Sequence, residues 1–75
     1  MTDKDLDALT DESDAMARDV NAKLDNAEFV FHGASGTECI QGLDALAGRC
    51  NAGGLRVAAR RLKQLAREVK ERSEV

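Results

Sequence analysis

The chain has no proline, no tryptophan and no tyrosine. It has two phenylalanines, two cysteines and one histidine. Without proline, no position is barred from a helix interior by a missing N–H. Two cysteines are too few for a disulfide-stapled secreted scaffold. The near absence of aromatic side chains removes the stacking platforms that single-stranded nucleic acid prefers. No apolar run approaches the ~20 residues of a membrane helix, so no membrane contact is expected. The opening MTDKDLDALTDESD is acidic and lacks the apolar stretch of a signal peptide.

What remains is small and charged. The 75 residues make one domain, 1–75, of 8.1 kDa. Apolar residues are 43% of the chain, but 12 of them are alanine. Setting aside alanine, cysteine and the two terminal residues leaves 16 large apolar side chains. A core that thin leaves little room for a substrate pocket, so no enzyme and no cofactor are predicted.

Two glycine-bearing breaks divide the chain, Gly33-Ala34-Ser35-Gly36 and Asn51-Ala52-Gly53-Gly54. Each reads as a helix stop and a turn. The first resembles a phosphate loop only loosely, since no Gly-Lys-Ser/Thr ending follows.

The first segment, from about Asp3 to His32, carries Leu9, Ser13, Met16, Val20, Leu24, Ala27 and Phe31 in steps of three and four, one helical face. Thr2 with Asp5, or Thr10 with Ser13, offers an N-cap hydroxyl. The first 14 residues hold six acidic side chains, mostly aspartate, a weak helix former. Residues 1–9 are therefore expected to fray, with a firm helix from about Asp11. Glu28-Phe29-Val30-Phe31 also suits a short strand, but no partner strand is evident.

In the second segment, Ser35 and Glu38 have capping-box spacing. Cys39, Leu43, Leu46 and Cys50 then form a stripe, with Ile40 and Ala47 beside it. Gly42 and Gly48 weaken this helix by ~1 kcal/mol each relative to alanine, which suggests close backbone approach at one or both. The third segment, Leu55 to about Ser73, has a 3-4-3-4 seam of Leu55, Ala58, Leu62, Leu65 and Val69, flanked by Ala59 and Ala66. The expected fold is all-α: three helices, the second and third an antiparallel hairpin, completed as a homodimer because a short chain gains missing core from a second copy.

Cys39 and Cys50 share a helical face but lie ~16 Å apart along the axis, beyond the ~7 Å reach of a disulfide. They read as small buried hydrophobes in a reducing cytoplasm. His32 with these cysteines gives H-x6-C-x10-C, which lacks the close pairs of a zinc site, and no metal is expected. A Cys–His nucleophile would need an orienting third group and a cleft. His32 reads instead as a residue of the last helical turn, where a cation suits the dipole.

Charge is sorted along the chain. Residues 1–30 hold nine acidic and three basic residues, whereas 31–75 hold five acidic and eight basic. Arg56, Arg60, Lys63, Arg67 and Lys70 step 4-3-4-3, one position beyond the apolar seam. They line one edge of the third helix over ~21 Å. Asp7, Asp11 and Asp14 form an acidic counterpart on the first.

Three roles follow. The acidic and basic edges orient helix packing and meet a partner protein, giving a non-enzymatic regulator, adaptor or inhibitor with Asp7, Asp11, Asp14, Arg56, Arg60, Lys63 and Arg67 as contact residues. Alternatively, the third helix contacts nucleic acid. Leu46, Ala47, Cys50, Ala52 and Val57 fit part of a helix-turn-helix apolar pattern, with Arg56, Arg60 and Arg61 facing the groove. Last, the acidic segment acts as a nucleic-acid mimic.

Overall fold

The computed structural model describes residues 3–26 and 33–73. Helices α1 (Asp3–Asp25), α2 (Gly33–Ala52) and α3 (Arg56–Ser73) account for nearly all of them, and no strand occurs among the described residues.

Helix α1 takes up helical geometry from Asp3, eight residues ahead of Asp11, where a firm helix was expected. It ends at Asp25, not near His32. Asp25 and Asn26 both favour local side-chain bonds over a continuing helix. The Asn26 N–H closes the last turn on the Ala22 carbonyl at 3.2 Å. The positions Ala27 and Phe31, the strand alternative at 28–31 and His32 lie outside the described residues. The α1 core face is Leu9, Ser13, Ala17, Val20 and Leu24, with Met16 half-buried at its edge.

Helix α2 begins at Gly33, so the Gly33–Gly36 break is not a turn. Ser35 lies within the first helical turn, which removes it as the N-cap of a capping box with Glu38. Glycine is tolerated there because first-turn N–H groups have no intrahelical acceptor. The second break is a turn, as the sequence suggests. Leu55 N–H donates to the Cys50 carbonyl at 2.8 Å, and Gly54 N–H to the Asn51 carbonyl at 3.1 Å. These are the paired bonds of a Schellman motif. Gly54 has φ of 87°, the left-handed conformation that the motif needs.

Neither mid-helix glycine of α2 meets another backbone. A Cβ at Gly42 would lie 3.6 Å from the Met16 Cε, and one at Gly48 would have nothing within 4 Å. Gly48→Ala is therefore expected to raise stability by about 0.5–1 kcal/mol. Gly54→Ala should lower it by about 1–2 kcal/mol through left-handed strain. Urea midpoints of the two variants check this pair, and a gain at both positions would contradict the turn geometry.

The three helices run up, down and up. Glu12 pairs with Arg49 and Met16 faces Gly42, so α1 and α2 are antiparallel. Asp14 meets Arg61, while Asn21 and Asp25 share a notch with Glu68 and Arg72, so α1 and α3 are parallel. Principal extents are 41 × 18 × 17 Å. Helices of 20 and 18 residues are ~30 and ~27 Å long, too long to lie across an 18 Å section. Hence α2 and α3 form an antiparallel hairpin, and theirs is the largest interface of the bundle.

The core draws on all three helices. Leu43, Ala47, Cys50, Leu62 and Val69 are fully enclosed, and Leu46, Leu65, Ala59 and Ala66 join them. Leu55 and Ala58, the first two seam positions, are only partly buried. The α3 face is rotated slightly toward Ala59 and Ala66. Val57 is the one exposed large apolar side chain among the described residues. The α3 seam is thus consumed within one chain, and a second copy would have to use another surface.

Candidate functional site

Helix α3 is unbroken from Arg56 to Ser73. Once its apolar stripe faces the core, helical geometry fixes where the 4-3-4 row of cations goes. Arg56, Arg60, Lys63 and Arg67 are all exposed and line one groove of about 610 Å3. Asn51, from the end of α2, closes one end of it, and Glu68 and Glu71 sit toward the other. Among the described residues, none of the four cations has an ion-pair partner.

The intramolecular charge contacts use other residues. Arg49 donates two hydrogen bonds to the Glu12 carboxylate, at 3.0 and 3.1 Å, and ties α2 to α1. Arg61 reaches Asp14 at 3.4 Å and ties α3 to α1. Both pairs are about half exposed, so each contributes ~0–1 kcal/mol and chiefly selects the helix arrangement. Charge thus orients the packing, but through Arg49 and Arg61 rather than through the row of four. Asp14 is committed to Arg61, whereas Asp7 and Asp11 are exposed on α1. The pairing of Arg49 and Arg61 with α1 has no signature in the sequence. Periodicity gives each helix a face but not its rotation against its neighbours.

The turn geometry bears on the helix-turn-helix pattern. That motif crosses its helices at ~90–120°, whereas α2 and α3 lie antiparallel. Ala52 and Val57, two of its apolar positions, are exposed, and Arg61 faces α1.

Both cysteines lie on α2 as free thiols, Cys50 buried and Cys39 half-buried. Burial pushes the Cys50 thiol above its ordinary range, against smaller opposing pulls from the Ser13 hydroxyl and Arg49. Burial also raises Cys39, with Lys23 opposing. Ser13, itself buried, donates its hydroxyl to the Thr10 carbonyl at 2.9 Å, so no polar group is stranded in this part of the core.

A thiol pKa raised by folding means that the native state holds its proton longer than the unfolded chain does. The associated stability is complete below the unfolded thiol value of ~8.5 and is lost as pH rises toward the folded values. With no tyrosine present, the stability of wild type should fall above about pH 8.5, and Cys50→Ala should lessen that fall, with the share due to Cys39 remaining. Urea midpoints from pH 7 to 10 test this. Parallel declines in the two proteins would show that Cys50 is not responsible.

No three of the described histidine, cysteine, aspartate and glutamate side chains gather as a metal-holding group. No described helix is long and apolar enough to cross a membrane. A shallow notch beside Ala8, Leu9 and Ala52 adds about 430 Å3 of apolar-walled space, with the Glu12–Arg49 pair at its rim. The groove along α3 is the feature with a concentrated chemical character. No family model, curated protein or solved structure matches the chain.

Proposed function

We infer that this chain is a non-enzymatic interaction protein, a small cytoplasmic regulator, adaptor or inhibitor that acts by protein–protein contact. One observation carries the reading. Four cations stand along one groove without an ion-pair partner among the described residues, while Glu12 and Asp14 pair with Arg49 and Arg61 instead. A row of exposed cations on a rigid helix steers an acidic partner and fixes its register more than it supplies raw affinity. The partner surface is accordingly acidic, with Arg56, Arg60, Lys63 and Arg67 as its contacts. The exposed Asp7 and Asp11 provide a second contact edge on α1, the one a nucleic-acid mimic would use.

Duplex nucleic acid is the competing occupant, since a cationic row also tracks phosphates. The antiparallel hairpin disfavours base readout by α3, and the chain carries a net charge of −3. The deciding experiment compares wild type with the triple variant Arg60→Ala/Lys63→Ala/Arg67→Ala. Wild type should capture a partner protein from its host that survives nuclease treatment, and the triple variant should lose it. Duplex-DNA affinity that falls steeply between ~50 and ~200 mM salt, and disappears in the triple variant, would replace the protein reading with the DNA one.

A further inference from the structure

The acidic edge of α1 and the basic edge of α3 match in register. Asp3, Asp7 and Arg18 are exposed on one edge of α1, Asp14 lies half-buried on the same edge where it meets α3, and Arg56, Arg60, Arg67 and Glu71 lie along the groove of α3. A single offset of 53 residues sets Asp3 opposite Arg56, Asp7 opposite Arg60, Asp14 opposite Arg67 and Arg18 opposite Glu71. All four are attractive pairs, and Asp11 falls opposite Gln64, between Lys63 and Arg67. Both helices rise 1.5 Å per residue, so a constant offset holds along a parallel pair. Sliding by one turn, to an offset of 49, keeps three attractive pairs but sets Arg18 against Arg67. Sliding the other way, to 56, sets Lys4 against Arg60. Like charges directly opposite are destabilising, so 53 is the favoured register.

This pairing is not the one inside the chain. There α1 and α3 meet with Asp14 at Arg61, an offset of 47. Resting on the reading of the α3 groove as a contact surface, we propose that this groove is occupied by the outer edge of α1 from a second copy, parallel to α3. Asp14 exchanges its long contact with Arg61 for one with Arg67 of the neighbour. The two offsets differ by six residues, or ~9 Å along the helix axis. An operation that includes such a translation cannot close a two-fold dimer. It makes a heterologous, head-to-tail contact and an open array. The contact is weak and salt-sensitive, because the paired groups are half exposed or more. It also competes with any acidic partner for the groove, so self-association would hold the chain in reserve until that partner is present.

The test uses the full chain in sedimentation velocity and in two-dimensional NMR, up to about 1 mM protein. At ~20 mM salt, where screening reaches only beyond ~20 Å, average mass should grow with concentration without levelling at a dimer. Amide shifts should move along residues 3–18 and 56–71 and not in the core. At ~0.3 M salt the chain should be monomeric. Asp7→Arg and Arg60→Asp, both at exposed sites, should each abolish growth. Combined in one chain they should restore it, whereas Asp7→Arg with Arg67→Asp should not. Helical circular dichroism confirms that each variant is folded, and Asp11→Asn serves as the folded control that still associates. A chain that stays monomeric at low salt, forms a closed dimer, or is not rescued by the matched pair overturns the proposal. The groove reading is judged separately, by partner capture with the triple variant.

Discussion

Replacing Leu62 with alanine should cost about 2–5 kcal/mol, the range for a large-to-small change at a fully buried position. Leu62 has no exposed surface and belongs to a core cluster to which all three helices contribute. A chain of this length has a total stability of roughly 4–11 kcal/mol, so at mid-range the variant should lose about half of it. The urea midpoint should fall steeply while the slope of the transition stays close to wild type. The reference is Val57→Ala, at the exposed end of the same helix, which should change stability by less than about 0.5 kcal/mol. Equal losses at the two positions would mean that α3 is not seated as described.

The second large effect comes from adding volume. Ala47 is fully enclosed, and Ala17, Ala59 and Ala66 are nearly so. These small side chains let three helices fit a section of 18 × 17 Å. Ala47→Leu inserts three heavy atoms where no space exists, and should cost about 1–3 kcal/mol despite raising apolar content. For a domain of this size that lowers the melting temperature by roughly 5–20 °C. Ala45→Leu, at an exposed position of the same helix, should be nearly neutral. A stabilised Ala47→Leu protein would reveal a cavity that the described packing does not contain.

Both results turn on residues that differ in legibility. Leu62, Leu65 and Val69 announce themselves by spacing, because large apolar side chains three and four apart leave one face. Leu43, Leu46 and Cys50 do the same on α2. The buried alanines do not, since alanine is as common on helix surfaces as within cores. Ala17 gives no signal on α1 for that reason, and Ala59 and Ala66 look like flanks of a seam that in fact tilts toward them. The Gly53–Gly54 turn was legible because a left-handed residue there has one ready supplier. The Gly33–Gly36 break misled, because glycine also suits the first turn of a helix, and the Asp25–Asn26 pair ends α1 instead. Of the site, the cationic row was readable outright. That Arg49 and Arg61, rather than any member of the row, answer the acidic helix depends on how the helices are turned against each other, and no one-dimensional pattern encodes that angle.

The unequal interfaces of the bundle have a consequence for its kinetics. Helices α2 and α3 share the largest interface and are joined by a three-residue link, whereas α1 is held by a smaller contact that includes the half-exposed Glu12–Arg49 and Asp14–Arg61 pairs. Contacts close in sequence tend to form first, so the hairpin should assemble before α1 docks onto it. In the reverse direction α1 should undock before the hairpin melts, and hydrogen exchange should find its amides opening at lower energy than those around Leu43 and Leu62. The bundle therefore has a detachable third, and the segment that comes loose most readily is the one that bears the chain's excess negative charge.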